Sequence, residues 1–534
     1  MRRFSPALLT AVAAFLFASS TASAATKSVD SITALQSALN ESVAGDIFIL
    51  NDGVYPTTQP IILNRPGSAE QPIVVTVKNV GAAEITGTHG FVVTGSAAYV
   101  TISGFKFTHA AGTALIDEGT SHIRFTRNSF LCSGDGADLS ISGDDAQIDY
   151  NEFGAKKTAG NMIAVAGTGT QVSRRLWIHH NYFHDLTNSG REGAQMLRLG
   201  LMGTQGQSIG AALVENNLFA DCRGVTEMIS SRSSGNTFRY NTFIDSPTAQ
   251  LTLRRGNDCI VYGNYFRNTE GIRIYGSRHQ IFSNYFERNH IAIAIGNGAP
   301  DPTDGTANKN AHPDECVVAF NTFVNNSTHY LMSRRAPVGL GATHTTFANN
   351  IVVGGDTVAK IGGPYADAAW SGNLLWNFQK FGDIPPEGFT QVDPLLAAGP
   401  DGIQRPQAGS PAFGAAVGAF PAVTVDFDGQ PRPGKKSIGA SESSTAPTTP
   451  HFISVAEVGP TGNEPKPTPP PAPAPSLSTP APVRALARPA PNIALPAVGK
   501  PATPPRAKTT PPASTPPPKT DDAPLSDEDA KRSA

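Results

Sequence analysis

Along most of this chain, short runs of Val, Ile, Tyr, Phe and Thr, each about five to eight residues long, alternate with clusters of Gly, Asn, Asp and Ser, the pattern of short strands joined by turns. One phrase recurs in these runs: Asn, any residue, Phe. It stands at Asn181 to Phe183, Asn217 to Phe219, Asn241 to Phe243, Asn264 to Phe266, Asn284 to Phe286 and Asn321 to Phe323. Weaker copies stand at Asn128 with Phe130, Asn151 with Phe153, Asn350 and Asn373. The copies lie about 20 to 37 residues apart, the spacing of a solenoid whose coils carry loops of variable length. One phrase marks one coil.

Runs this short exclude helix pairs, and the Leu and Trp signatures of leucine-rich and TPR arrays are missing. The expected fold class is all-β, a right-handed parallel β-helix. In such a coil the Phe stacks in the interior, while the Asn at the adjacent corner tolerates left-handed backbone angles and hydrogen-bonds to the next Asn above it. Ahead of the coils, Ser31 to Asn40 carries Ile32, Leu35 and Leu39 at helical spacing, a short amphipathic helix suited to capping the open N-terminal end. The segments Gly45 to Tyr55 and Gly67 to Val77 supply the first coils, and coils continue to about Leu375. Val392 to Ala440 is turn-rich and reads as an irregular cover. From about Ser444 the chain is rich in Pro, Ala, Thr and Ser and nearly free of aromatic residues, which cannot build a core. The domain reading is residues 1–24 as leader, 25–443 as the β-helix and 444–534 as a disordered, extended Pro-rich tail whose partner is unknown.

The leader has Arg2 and Arg3, an apolar stretch from Ala7 to Phe17 and small residues at Ala22 to Ala24, a secretory signal peptide that places the mature protein in the periplasm or outside the cell. No later apolar stretch reaches the roughly 20 residues of a membrane span. The 4 cysteines would suggest disulfides in an exported protein. Yet Cys259 and Cys316 each precede their Asn by five residues, and His279 holds that place in the coil between them. Two coils separate them by about 9 to 10 Å, beyond disulfide reach, so buried free thiols are expected there. A formal charge of −2 argues against nucleic acid as a partner. The charge that matters is local: Arg198, Arg223, Arg232, Arg254, Arg255 and Arg273 all fall in the central coils, a patch for an acidic polymer.

The segments VENNLFADCRGVTEMISSRSSGNTFRYNTF (Val214 to Phe243), LTLRRGNDCIVYGNYF (Leu251 to Phe266) and GIRIYGSRH (Gly271 to His279) resemble the chondroitinase B and alginate lyase group of right-handed β-helix polysaccharide lyases. The resemblance covers most of residues 27–440. It implies cleavage of an acidic polysaccharide by β-elimination at a uronic acid: the carboxylate is neutralised, the C5 proton is removed, and the oxygen on C4 leaves. A proton beside a carboxylate is very weakly acidic until the developing charge is stabilised. The family uses calcium for the first step, a Lys for the second and an Arg for the third.

By this resemblance the leaving-group Arg falls on Arg254. The family's base, a Lys in a phrase like EIISNKS, falls on Arg232 in EMISSRS. Of two acidic calcium ligands only Glu227 is kept, with Val225 in the other place, and the Asn ligand expected before LRLG (Leu197 to Gly200) is absent among Ala194, Gln195 and Met196. A calcium site needs about six to eight oxygens, so these losses imply no metal cofactor, with guanidinium groups clamping the carboxylate instead. Arg255 replaces the family's usual His. Free Arg has a pKa above about 12, so Arg232 as a base needs strong depression by neighbouring cations. Otherwise Tyr240, Tyr275 or His279 takes the proton.

The expected function is a polysaccharide lyase on a uronate polymer, alginate foremost, acting without calcium. Arg232 and Arg254 are catalytic, and Arg198, Glu227, Arg255, Arg273, Tyr275 and His279 line the substrate. Glu227 reads equally as a salt-bridge partner for one of the arginines. The alternatives are a silent β-helix that binds acidic glycan and a chondroitinase B-like lyase on dermatan sulfate. Asp144 and Asp145 read as a turn, and the HPDE phrase at His312 to Glu315 has the wrong order for an epimerase site.

Overall fold

The computed structural model describes residues 24–110, 114–187, 193–201, 204–298, 311–335, 339–443 and 452–463. Three long parallel sheets, of 14, 14 and 13 strands, run the length of the molecule, and each strand pairs with its equivalent one coil earlier and one coil later. The chain is a parallel β-helix. Sheet 1 starts at Thr26–Val29, sheet 2 at Gly53–Thr57 and sheet 3 at Ile61–Leu63. Alternation sets which side chains go inside: in Ile73–Val77 the residues Ile73, Val75 and Val77 are buried, while Val74 and Thr76 face outward. The helix Ile32–Asn40 forms where expected, with Ser31 as its N-cap accepting from Ala34 N–H. It buries Leu35 and Leu39, and Gln36 bonds both backbone groups of Ile62, closing the first coil of sheet 3.

The recurring phrase builds two internal columns. Phe107, Phe130, Phe153, Phe183, Phe219, Phe243, Phe266, Phe286 and Phe323 stack one per coil with ring centroids 4.5 to 5.0 Å apart. Each buried ring contributes roughly 2 to 3 kcal/mol of transfer free energy. The Asn column is fully buried and self-satisfied. Asn241 Nδ2 donates to Oδ1 of Asn264 at 3.0 Å, and Asn241 Oδ1 accepts from the backbone N–H and Nδ2 of Asn217 at 3.1 and 3.0 Å. The left-handed angles do not fall on these asparagines. They fall on the residue before each, Arg127, Tyr150, His180, Asn216, Tyr240, Ser283, Phe320 and Asn349 among them. That residue turns the corner so that the Asn amide can lie along the column.

Paired strands continue past Leu375, to Lys380–Gly382 and Phe389–Gln391, because the Asn column ends at Asn373 while the sheets run on. Asn373 Nδ2 closes the column on the carbonyl of Gly388 at 2.8 Å. The turn-rich segment that follows is a cover, as expected. Ile403, Phe427 and Ala440 pack on Tyr265, Tyr285 and Val324, on the outer face of sheet 2. A further piece, Phe452 to Asn463, lies in the stretch assigned by composition to the tail, yet it too packs on this face. Ile453 and Val458 bury against Leu218, and Ile453 N–H bonds Thr242 Oγ1 at 3.0 Å. The rest of the tail and the leader up to Ser23 lie outside the described residues. All four cysteines are buried free thiols. Among the described residues no helix is long and apolar enough to cross a membrane.

Candidate active site

Arg198, Arg232, Arg254, Arg255 and Arg273 lie in or just after consecutive strands of sheet 3, Leu197–Leu199, Glu227–Ser231, Gln250–Leu253 and Ile272–Ile274, with Ile291–Ile295 the next strand along. Their register aligns Arg198, Ser230, Thr252, Arg273 and Ala294 in one outward row. Two positions further along each strand, Gly200, Arg232, Arg254, Tyr275 and Gly296 form a second row, held by backbone bonds such as Arg254 N–H to Ser231 O (2.9 Å) and Tyr275 N–H to Leu253 O (2.8 Å). Neighbours in a row are about 4.8 Å apart. Glycines bound the second row at both ends. A Cβ on Gly296 would lie 2.2 Å from the Tyr275 ring, and one on Gly200 would lie 3.1 Å from the Arg232 carbonyl. Thus Arg232, Arg254 and Tyr275 stand side by side with little bulk on either flank.

Arg232 is buried, and its Nε donates to Ser230 Oγ at 2.9 Å. Burial first, and then the charge of Arg254, push its guanidinium down to about 10. Arg254 is oriented by an acid: its Nη1 donates to Glu227 Oε1 at 2.9 Å. Glu227 is therefore the ion-pair partner of Arg254. Arg255 adopts a left-handed φ of 65° and packs against the loop at Gly206 and Gln207, where burial and Arg254 both lower its pKa. Burial also lowers Arg198, whose Nε is a buried donor with no hydrogen-bond partner. The hydroxyl of Thr252 and Oε1 of Gln195 are likewise buried and unpartnered. Such orphaned groups cost about 1 to 3 kcal/mol each.

Other expected residues are placed elsewhere. His279 is wholly buried inside the coil, its Nδ1 accepting from Cys259 N–H (3.1 Å) and its Nε2–H donating to the Tyr275 carbonyl (2.9 Å). Both nitrogens are engaged, so it supports the backbone under Tyr275 and does not line the outer face where it was expected. Tyr240 sits at the corner between sheets 1 and 2, beside Tyr262 and close to Gly429 of the cover, away from sheet 3. Arg223 is exposed and paired with Asp221. Asp144 and Asp145 occupy a turn, as expected, each tied to an arginine. Ser230, Thr252, Gly200 and Gly296 escaped the sequence reading. Counting two residues back from Arg232 and Arg254 along the alternating strands would have found Ser230 and Thr252, and two forward from Arg198 would have found Gly200, whereas Gly296 needed the register between coils.

The donor set does not fit a calcium ion. The carboxylate of Glu227 is committed to Arg254, Val225 two residues before it brings no oxygen from its side chain, and the charges of Arg198, Arg254 and Arg255 all act on Arg232. Among the described residues no three His, Cys, Asp or Glu side chains form a metal-binding group.

The sequence profile of the family described as chondroitinase B matches residues 29–350. No curated protein matches. Among solved structures the chain is similar to the PL6 family alginate lyase AlyGC, with 23% identity and a TM-score of 0.62 over 80% of this chain and 59% of that one. It is also similar to a PL6 alginate lyase solved in complex with a trisaccharide, with 17% identity and a TM-score of 0.61 over 82% of this chain and 96% of the other. A third is a mannuronic acid specific polysaccharide family 6 lyase from human gut microbiota, with 20% identity and a TM-score of 0.55, covering 69% and 91% of the two chains. The present chain thus spans 59% of the length of AlyGC. At these identities the likeness is one of fold.

Proposed function

The chain belongs to the chondroitinase B family, and we propose that it is an exported polysaccharide lyase that cleaves a uronate polymer, alginate foremost, by β-elimination without calcium. The observation that carries this reading is the pair of neighbouring guanidinium groups in one outward row: Arg232, pushed down to about 10, beside Arg254, tied to Glu227. The uronate carboxylate lies against Arg198, Arg255 and Arg273, where the buried orphan donor of Arg198 gains an acceptor. The neutral form of Arg232 takes the proton from C5. Electrons of that C–H bond form the C4–C5 double bond as the C4–O bond breaks, and Arg254 gives a proton to the departing oxygen. Alginate is favoured because the similar solved lyases are named for it.

The test is ultraviolet absorbance of the new double bond, conjugated to its carboxylate, with purified protein on alginate, dermatan sulfate and polygalacturonate, each with added calcium and with EDTA. A rise on alginate that survives EDTA is expected. A rise on dermatan sulfate alone would reassign the substrate, and loss of activity in EDTA would overturn the metal-free mechanism. Silence on all three with glycan binding intact would identify a non-catalytic glycan-binding β-helix.

A further inference from the structure

At the corner joining sheets 3 and 1, outside the arginine rows, lies a cavity of about 400 Å³ lined by Asp144, Asp145, Arg174, Arg175, Thr168 and His122 among others. Its polar walls are paired and rigid. Arg174 donates to Asp144 from Nε and Nη2 at 2.9 and 2.6 Å and from its backbone N–H at 2.8 Å. Arg175 grips Asp145 from Nε and Nη2 at 2.6 and 2.7 Å. The four charges cancel. Neither pair uses the Nη1 of its guanidinium in these bonds, and both arginine side chains are about half exposed. One wall is the hairpin of Gly167–Thr168 and Gln171–Val172, pinned by Thr168 Oγ1 to Glu118 (2.9 Å) and by Val172 N–H to Ser208 Oγ (3.1 Å).

Two residues beyond Arg175, at the start of the strand Trp177–His179, the indole of Trp177 is 38% exposed. It is fixed from behind: Nε1–H donates to Glu215 Oε1 at 2.8 Å, and the ring rests on His179 with centroids 4.0 Å apart. An immobile aromatic face beside a set of fixed donors and acceptors with no net charge suits one class of ligand. A sugar ring lays its C–H face, weakly positive, on the negative face of the indole and turns its hydroxyls to the paired carboxylates and guanidinium groups. A free anion would meet Asp144 and Asp145, and an apolar ligand would leave the ion-paired side chains of the walls without partners.

We propose that Trp177 and this cavity form a second, non-catalytic polysaccharide site that holds the hydroxyl-bearing face of a sugar residue. That the sugar belongs to the same uronate polymer rests on the function proposed above. Such a site keeps the enzyme on its polymer while the arginine rows act on another stretch.

The test is affinity electrophoresis of the full chain through gels containing alginate or neutral galactomannan, in an Arg254→Ala background that leaves the alginate uncut. Trp177→Ala and the double variant Arg174→Ala with Arg175→Ala should weaken retention in alginate roughly tenfold, the effect of losing about one good aromatic or hydrogen-bonded contact. Trp177→Phe should keep most of it, and a thermal midpoint controls for folding. In the otherwise unmodified enzyme, Trp177→Ala should leave trisaccharide cleavage unchanged. Unaltered retention in both variants, or no retention of the parent in either gel, overturns the site. So does a fall in trisaccharide turnover in Trp177→Ala, which would make the indole part of the cleavage site. If no uronate polymer is cleaved yet galactomannan retention depends on Trp177, the sugar site stands and only the lyase reading fails.

Discussion

Arg254 reaches back across one coil to Glu227, Nη1 to Oε1 at 2.9 Å, and on the mechanism proposed above this carboxylate aims the charge that protonates the leaving oxygen. The pair has two consequences. Arg254 is held in one orientation, and one carboxylate oxygen of Glu227 is occupied by a guanidinium. Glu227→Gln keeps the shape but loses the charge-assisted bond, worth about 1.5 to 3 kcal/mol. The expected result is a fall in kcat of about tenfold or more with KM nearly unchanged, and Arg254→Ala should abolish turnover. A raised KM with kcat preserved would instead make Glu227 a substrate contact.

On the mechanism proposed above Arg232 acts in its neutral form, and burial together with Arg254 pushes it down to about 10. Activity should therefore climb with pH, about tenfold per unit, until it levels near that value. Arg232→Lys places a group of lower intrinsic pKa in the same surroundings, so its alkaline limb should move to lower pH and activity at neutral pH should be kept or raised. A full pH profile of kcat/KM for both proteins checks this. Loss of activity in a folded Arg232→Lys protein would mean that the planar guanidinium is required there for binding.

The repeat made the fold legible, because one Asn and one Phe per coil announce both the solenoid and its internal columns. What the phrase could not convey was the corner itself: the left-handed residue before each Asn varies from Arg127 to Tyr150 to Phe320, since a corner constrains backbone angle more than side chain. The coil after Asn373 was missed for a related reason, the sheets continuing where the column stops. At the site, the arginines stood out as charge among β-formers. Their partners did not. Whether His279 pointed in or out depended on a register that its neighbours in sequence do not reveal, and the pairing of Glu227 with Arg254 joins residues in different coils. Docking of Phe452 to Asn463 was hidden because a few apolar residues within a Pro-rich stretch resemble linker until a complementary face is known.

Buried histidines make the solenoid sensitive to acid. Burial pushes His279 and His329 down to about 4, each wholly enclosed with Nε2 bonded to a backbone carbonyl. An unfolded His has a pKa of about 6.5, so between that pH and 4 the unfolded chain binds more protons than the folded one. Stability is thus complete above about pH 6.5 and is lost as pH falls, by up to about 3 kcal/mol per histidine. Urea midpoints measured from pH 7.5 to 4.5 should fall steadily, and His279→Asn should flatten that slope. An equal slope in the variant would exclude His279 as a source.

Lys156 and Asp138 form an ion pair with side chains 0% and 1% exposed, Nζ to Oδ1 at 2.8 Å, while Oδ2 of Asp138 has no partner. Burial raises the Asp138 carboxyl above the usual carboxylate range, and only Lys156 opposes that rise. Lys156→Met removes the opposition and leaves the acid alone, a loss of about 3 to 5 kcal/mol where the carboxylate must be charged. The sign with pH follows: a carboxyl whose folded pKa exceeds its unfolded value holds its proton in the fold and releases it on unfolding, so the variant should become less stable as pH rises above about 4. Its deficit against the parent should be greater at pH 8 than at pH 5 in urea unfolding. Combining Lys156→Met with Asp138→Leu removes both charges, and such apolar replacement of a buried pair is often neutral or stabilising, so most of the loss should return. If the double variant is no better than Lys156→Met alone, the pair matters through the packing of its side chains and its charges are incidental.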